Sequence, residues 1–140
     1  MKILVAVDGS PFTKRMLAYL AAHDEWLGPN HEYTVVHAVP AVPPRAAAVL
    51  DKSVLKSHYD DEAEKVFKPI RQFFGRKAYN VSYHFKPGPA AEVIAQAADK
   101  GGFDLLVMGS HGHGTLTNLV MGSVATKVLA HCTTPVLLVR

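Results

Sequence analysis

Residues 109 to 123 read G-S-H-G-H-G-T-L-T-N-L-V-M-G-S, and no other stretch of the chain is better suited to chemistry. Two residues separate Gly109 from Gly112, and nine more lead to Gly122 and Ser123. Glycine has no Cβ, so the backbone at Gly109 and Gly112 can turn through positive φ and bring its N–H groups close to an anion. The missing side chain at Gly122 lets the anion approach, and Ser123 is placed to cap a helix that begins there. A helix N-terminus adds unpaired N–H groups and a partial positive charge. The chemistry predicted is phosphate binding. The spacing differs from G-x-x-x-x-G-K-S/T, because no lysine follows the last glycine, and from G-x-G-x-x-G, because the gaps are wrong.

A second candidate is Asp8, in the sequence Asp8-Gly9-Ser10-Pro11. A carboxylate does not bind phosphate directly. It accepts hydrogen bonds from a ribose hydroxyl, or ligates a metal that the phosphates also hold. The same four residues also read as a turn followed by a helix cap. Choosing between these readings depends on the elements that position Asp8 and the glycine stretch.

Residues 2 to 7 form an unbroken apolar run after Lys2, as in a parallel strand covered on both faces. Ser10 and Pro11 are a helix start, a hydroxyl N-cap followed by a residue whose missing N–H costs nothing there. The helix predicted over 11 to 23 carries Leu17, Leu20 and Ala21 on one face and breaks near Gly28-Pro29. Residues 33 to 39 form a second strand, closed by three prolines within 40 to 44. From about 46 to 76 the pattern is helical, with Phe67, Ile70, Phe73 and Phe74 as core, and Pro69 is expected to kink or divide it. Acids at 60 to 64 and bases at 71 to 77 suggest a helix dipole running from about 60 to 77. A partly alternating strand over 80 to 85 has the wetter face of a sheet edge. A helix follows over 90 to 99, then a fourth strand over 103 to 108, a last helix from Ser123 and a fifth strand over 135 to 139.

Strands alternating with helices predict an α/β domain over 1–140, a single doubly wound five-stranded parallel sheet with helices on both faces. Right-handed crossovers leave few strand orders, and 3-2-1-4-5 is the one expected. In that order the first and fourth strands are neighbours and the winding reverses between them. Ligands bind at such a reversal, outside the carboxyl ends of the strands. Asp8 and Gly109 both end a strand there, so the aspartate faces the glycine stretch.

Composition narrows the function classes. With 49% hydrophobic and 19% charged residues the chain reads as a soluble globular domain. Its net charge of +3 comes from bases scattered among acids, without the basic stripe and exposed aromatics that nucleic acid would want. The single cysteine, Cys132, excludes an internal disulfide and fits a reducing interior. Five apolar residues before Asp8 are too few for a secretory or membrane segment, so a cytoplasmic location is expected. Cys132 reads as a small buried side chain and His37 as a satisfied core histidine. His111 and His113 lack further ligands nearby for a metal site of their own.

V-A-V-D-G-S near the start, V-V-H-A-V in the second strand, G-P-A-A-E-V-I before the fourth, and the glycine stretch closing on C-T-T-P-V-L-L-V together resemble the universal stress protein family. The resemblance covers nearly the whole chain. It implies an ATP-binding homodimer whose nucleotide is a regulatory or stress-response ligand, with Mg2+ or Mn2+ accompanying the phosphates. It carries phosphate contacts to Gly109, His111, Gly112, Gly122, Ser123 and Val124, and the nucleoside side to Asp8 and Ala38. The alternative is a slow ATPase or phosphotransferase at the same loop, where Lys127 is the nearest base along the chain. AMP or another nucleotide as the resident ligand stays open. Position 111, often arginine in the family, is histidine here, and a neutral imidazole holds phosphate less firmly, so affinity is expected to depend on pH. The last strand, 136–140, lies at a sheet edge in the expected order. Pairing through it would give a twofold dimer.

Overall fold

The computed structural model describes residues 1–114 and 120–140. Its elements run β1 (Lys2–Ala6), α1 (Pro11–Ala22), α2 (Asp24–Leu27), β2 (Glu32–Val39), α3 (Pro44–Ala48), α4 (Lys52–Gly75), β3 (Asn80–Pro87), α5 (Ala90–Gly101), β4 (Leu105–Gly109), α6 (Ser123–His131) and β5 (Val136–Val139). All strand pairs are parallel, and the order across the sheet is β3-β2-β1-β4-β5, as expected.

The apolar run of β1 is buried on both faces, as its lack of alternation requires. Ile3 and Val5 join Tyr33, Val35 and Val107 on one face, covered by Met16 and Leu20 of α1 and by Phe67, Ile70 and Phe74 of α4. Leu4 and Ala6 join Val36, Leu106 and Met108 on the other, covered by Val93 and Ile94 of α5 and by Ala125 and Val128 of α6. Burying each large apolar side chain contributes roughly 1.5–3 kcal/mol. Exposed pairs such as Lys56–Asp60 are screened by solvent and contribute little. The two apolar layers therefore hold the fold. At the sheet edge, β3 alternates between exposed and half-buried, the wetter strand that its pattern predicts.

Three local expectations are corrected. Ala21 turns outward, and the buried face of α1 includes Thr13 instead. Pro69 does not divide α4, which is continuous from Lys52 to Gly75. Pro69 stands on the exposed side, where water can replace the hydrogen bond it removes, while Phe67 and Ile70 hold the flanks in the core. The acids at 60 to 64 do not open a helix, because α4 begins two turns earlier. Three of the four pair along the helix surface instead: Asp60 with Lys56, Glu62 with Lys65, Glu64 with Arg71. Among the described residues no helix is long and apolar enough to cross a membrane.

Candidate functional site

Between the carboxyl ends of β1 and β4 the sheet changes winding direction and opens a cavity of about 190 Å³. This is smaller than the roughly 300–1,000 Å³ that enclose a whole drug-sized ligand, so it would seat part of one and leave the rest outside it. Asp8, Ala38, Gly109, His111, Gly112, Gly122, Ser123 and Val124 all line it. Residues separated by more than a hundred positions in sequence are brought together by the pairing of β1 with β4, Val5 opposite Val107. Residues 115 to 119, the middle of the glycine stretch, lie outside the described residues.

Asp8 is held by its own turn and by α1. The N–H of Ser10 donates to Asp8 Oδ1 at 2.9 Å, an aspartate side chain closing a turn on the residue two further on. Gly9, between them, has φ +75, the left-handed backbone that glycine enters without strain. Thr13 donates its hydroxyl to the same Oδ1 at 2.9 Å, and accepts the Asp8 N–H at 3.1 Å. Ser10 is the residue before α1, as expected, but its hydroxyl makes no cap bond and lies buried without a partner among the described residues.

The glycine stretch approaches from β4. The expectation that Gly109 and Gly112 use positive φ is not met: the glycines with positive φ are Gly9, Gly88 and Gly102. Gly109 and Gly112 are needed for space instead. A Cβ on Gly109 would stand 2.8 Å from Phe12 Cβ, and one on Gly112 would stand 2.6 Å from Asp8 Oδ2. The loop thus lies directly against the aspartate. His113 ties it there, donating from Nε2 to the carbonyl of Asp8 at 2.6 Å. His111 Nδ1 lies 3.0 Å from Ser110 Oγ, and its ring packs on Phe12 with centroids 4.9 Å apart.

At the far side of the loop Ser123 is not the cap. Gly122 occupies that position, with extended backbone, and Ser123 is the first helical residue of α6. A side chain at the cap would crowd the chain, since a Cβ on Gly122 would lie 3.2 Å from His111 Cα and 3.3 Å from Ser110 O. The Gly122 N–H donates to Ser110 O at 2.7 Å, and its own carbonyl accepts the first intrahelical bond, from Thr126 at 3.1 Å. Ser123 and Val124 belong to the first turn, whose N–H groups have no intrahelical acceptors, and both residues line the cavity.

Several walls of the cavity belong to no binding motif in the sequence. His37 was expected in the core, and it is buried, its Nδ1–H donating to Val7 O at 2.8 Å, yet it also lines the cavity. Ile94 and Met108 supply apolar wall, and Thr13 lines the cavity beside Asp8. Thr13 had a usable signal: a hydroxyl on the apolar stripe of α1, five residues after the aspartate. Cys132 is half-buried at the end of α6, against the second core layer. Among the described residues no three histidine, cysteine or acidic side chains gather as a metal site.

This arrangement can hold an elongated ligand with an anionic end, a hydrogen-bond donor near Asp8 and an apolar portion. Comparison with known proteins gives the family and the fold. The family model described as the universal stress protein family matches residues 1–140. A universal stress protein of Thermus aquaticus, named for its place in the QAH/OAS sulfhydrylase 3' region, is 36% identical over 138 residues, 99% of this chain and 97% of that protein. The solved structure of MJ0577, a protein of Methanocaldococcus jannaschii, superposes with a TM-score of 0.78 at 26% identity, covering 99% of this chain and 94% of that one. The universal stress protein of Archaeoglobus fulgidus, solved in complex with dAMP, shares the fold with a TM-score of 0.68 at 22% identity, over 100% and 98% of the two chains.

Proposed function

Because the chain belongs to the universal stress protein family, we propose that it holds an adenine nucleotide, ATP foremost, at the junction of β1 and β4 as a regulatory or stress-response ligand. The observation that carries this reading is the meeting of Asp8 with a glycine-walled helix N-terminus across one cavity. Asp8 accepts a ribose hydroxyl, and Ala38, with Ile94 and Met108, flanks the nucleoside. Gly109, His111, Gly112, Gly122, Ser123 and Val124 surround the phosphates, with the free N–H groups at the start of α6 taking the charge. That a fold neighbour carries dAMP supports an adenine ligand.

A divalent ion, Mg2+ or Mn2+, fits only as a companion of the nucleotide. With no gathered ligand set among the described residues, its coordination would come from phosphate oxygens and water, with Asp8 the candidate protein ligand among the described residues. The alternative, slow hydrolysis or phosphoryl transfer, needs a cation over the transferring phosphate. No lysine or arginine is among the described residues that line the cavity, and Lys127 is exposed on α6 outside it. Holding is therefore favoured over turnover.

The protein acts as a homodimer in this reading, joined through strand 136–140. β5 is a sheet edge with Val136, Leu137 and Leu138 only half-buried, and such an edge pairs readily with another chain. Light scattering at micromolar concentration is expected to return twice the chain mass, and a monomer would remove this part.

The site is tested by denaturing the purified protein and identifying released nucleotide by mass spectrometry, for wild type and for Gly122→Val. The valine methyls occupy the approach to the first turn of α6, so wild type is expected to release adenine nucleotide and the variant almost none. Equal release from both would take the loop out of the mechanism.

A further inference from the structure

A threonine on the buried face of α1 needs an explanation. Thr13 is 5% exposed and shares that face with Met16, Leu17 and Leu20, where valine would fill the same volume without a hydroxyl to satisfy. Its hydroxyl is spent entirely on Asp8. It receives the Asp8 N–H at 3.1 Å and returns its own proton to Asp8 Oδ1 at 2.9 Å. The Ser10 N–H also donates to Oδ1 at 2.9 Å, so one carboxylate oxygen is held by two donors from two directions. Rotation about the Cβ–Cγ bond would break both. The other oxygen, Oδ2, has no hydrogen-bond partner among the described residues and lies against Gly112, on the loop side of the carboxylate.

We infer that Thr13 is a positioning residue for the nucleotide's sugar: it locks the Asp8 carboxylate so that Oδ2 is a preset acceptor for ribose hydroxyls. The inference rests on the nucleotide reading above and adds a specificity to it, discrimination between ribose and dideoxyribose. Without the Thr13 hydroxyl the carboxylate loses one of the two bonds on Oδ1 and turns. The ribose hydroxyls then meet a mobile acceptor, while the phosphate cradle, built on other elements, is untouched.

The test is calorimetric titration of ATP and of 2′,3′-dideoxy-ATP into wild type, Thr13→Val, Thr13→Ala and Thr13→Ser. Wild type is expected to bind ATP about tenfold more tightly than the dideoxy analogue, the scale of one hydrogen bond to a charged group. In Thr13→Val and Thr13→Ala the ratio falls to within about twofold through weaker ATP binding alone. Thr13→Ser, which keeps the hydroxyl, restores it. Either hydroxyl-free variant suffices if the other does not fold. An unchanged ratio in these variants, or equal losses for both ligands, means that Thr13 only packs, and the inference fails while the nucleotide reading stands. A wild type that binds both ligands equally overturns the inference too. A wild type that binds neither sinks the nucleotide reading and this inference together.

Discussion

The two ends of the sheet use glycine in the same way and to opposite ends. At the amino ends of the strands, a Cβ on Gly101 would stand 2.1 Å from a ring carbon of Phe103, and one on Gly28 would stand 2.4 Å from the Asp24 carbonyl. The space that these glycines leave is filled by the chain itself. Lys2 Nζ donates to the Gly101 carbonyl, the Lys2 N–H donates to Asp104, and the buried Tyr33 hydroxyl shares its one proton between the carbonyls of Leu27 and Gly28. At the carboxyl ends, Gly112 leaves its space beside a carboxylate oxygen that nothing described satisfies, and Gly122 leaves the first turn of α6 open to a cavity. A missing side chain is thus a packing device where protein atoms close over it. It becomes a binding device where unpaired polar groups border it.

The comparison breaks most readily at Gly112. Gly112→Val pushes methyl groups into Asp8 Oδ2, and ATP affinity is expected to fall by at least ~100-fold in calorimetry while the thermal midpoint stays within a few degrees. A large loss of stability instead would make Gly112 a packing glycine like Gly101. Next in size is the reverse experiment: Gly101→Ala displaces the Phe103 ring and should cost about 1–3 kcal/mol, read from the urea midpoint, with the ATP dissociation constant unchanged. Were affinity to drop in step with stability, the two ends would be one cooperative unit. His113→Ala removes the donor that ties the loop to the Asp8 carbonyl and should weaken ATP by roughly fivefold, about 1 kcal/mol, with little change in melting. A stability loss larger than the affinity loss would place His113 in the framework. The smallest effect at neutral pH concerns Tyr33. Burial, with Tyr79 beside it, pushes its phenol well above its usual range. The unfolded chain ionises first, so the contribution of Tyr33 is complete below pH ~10 and is lost as pH rises from there toward the raised folded value. Urea midpoints at pH 8 and 11 should fall less in Tyr33→Phe than in wild type.

Much of this arrangement is legible in the residues. The unbroken run before Asp8 predicts a strand covered on both faces, and Ser10-Pro11 predicts where α1 starts, because strand burial and helix capping are contests among near neighbours. The order β3-β2-β1-β4-β5 follows from that alternation and the handedness of crossovers. It places Asp8 near the glycine stretch before any coordinate is known. Other details depend on contacts distant in sequence. Gly109 and Gly112 look like turn glycines, but their need for space comes from Phe12 and Asp8, roughly a hundred residues earlier in the chain. The cap is Gly122 and not Ser123, and Ser110 and His111 crowd that position from outside the helix, so a residue without a side chain suits it.

What the sequence alone determined is the parallel sheet, the reversal of winding and the pair of strand ends that meet there. These depend on periodicity and turn chemistry within a few residues, and the backbone has few ways to satisfy them. Tertiary structure alone decided which oxygen of Asp8 is spent on Thr13 and which is left toward Gly112, and that His37, which reads as a core histidine, also walls the cavity. Those outcomes turn on shifts of an ångström or less between elements distant in sequence, which follow from close packing of side chains across the finished sheet.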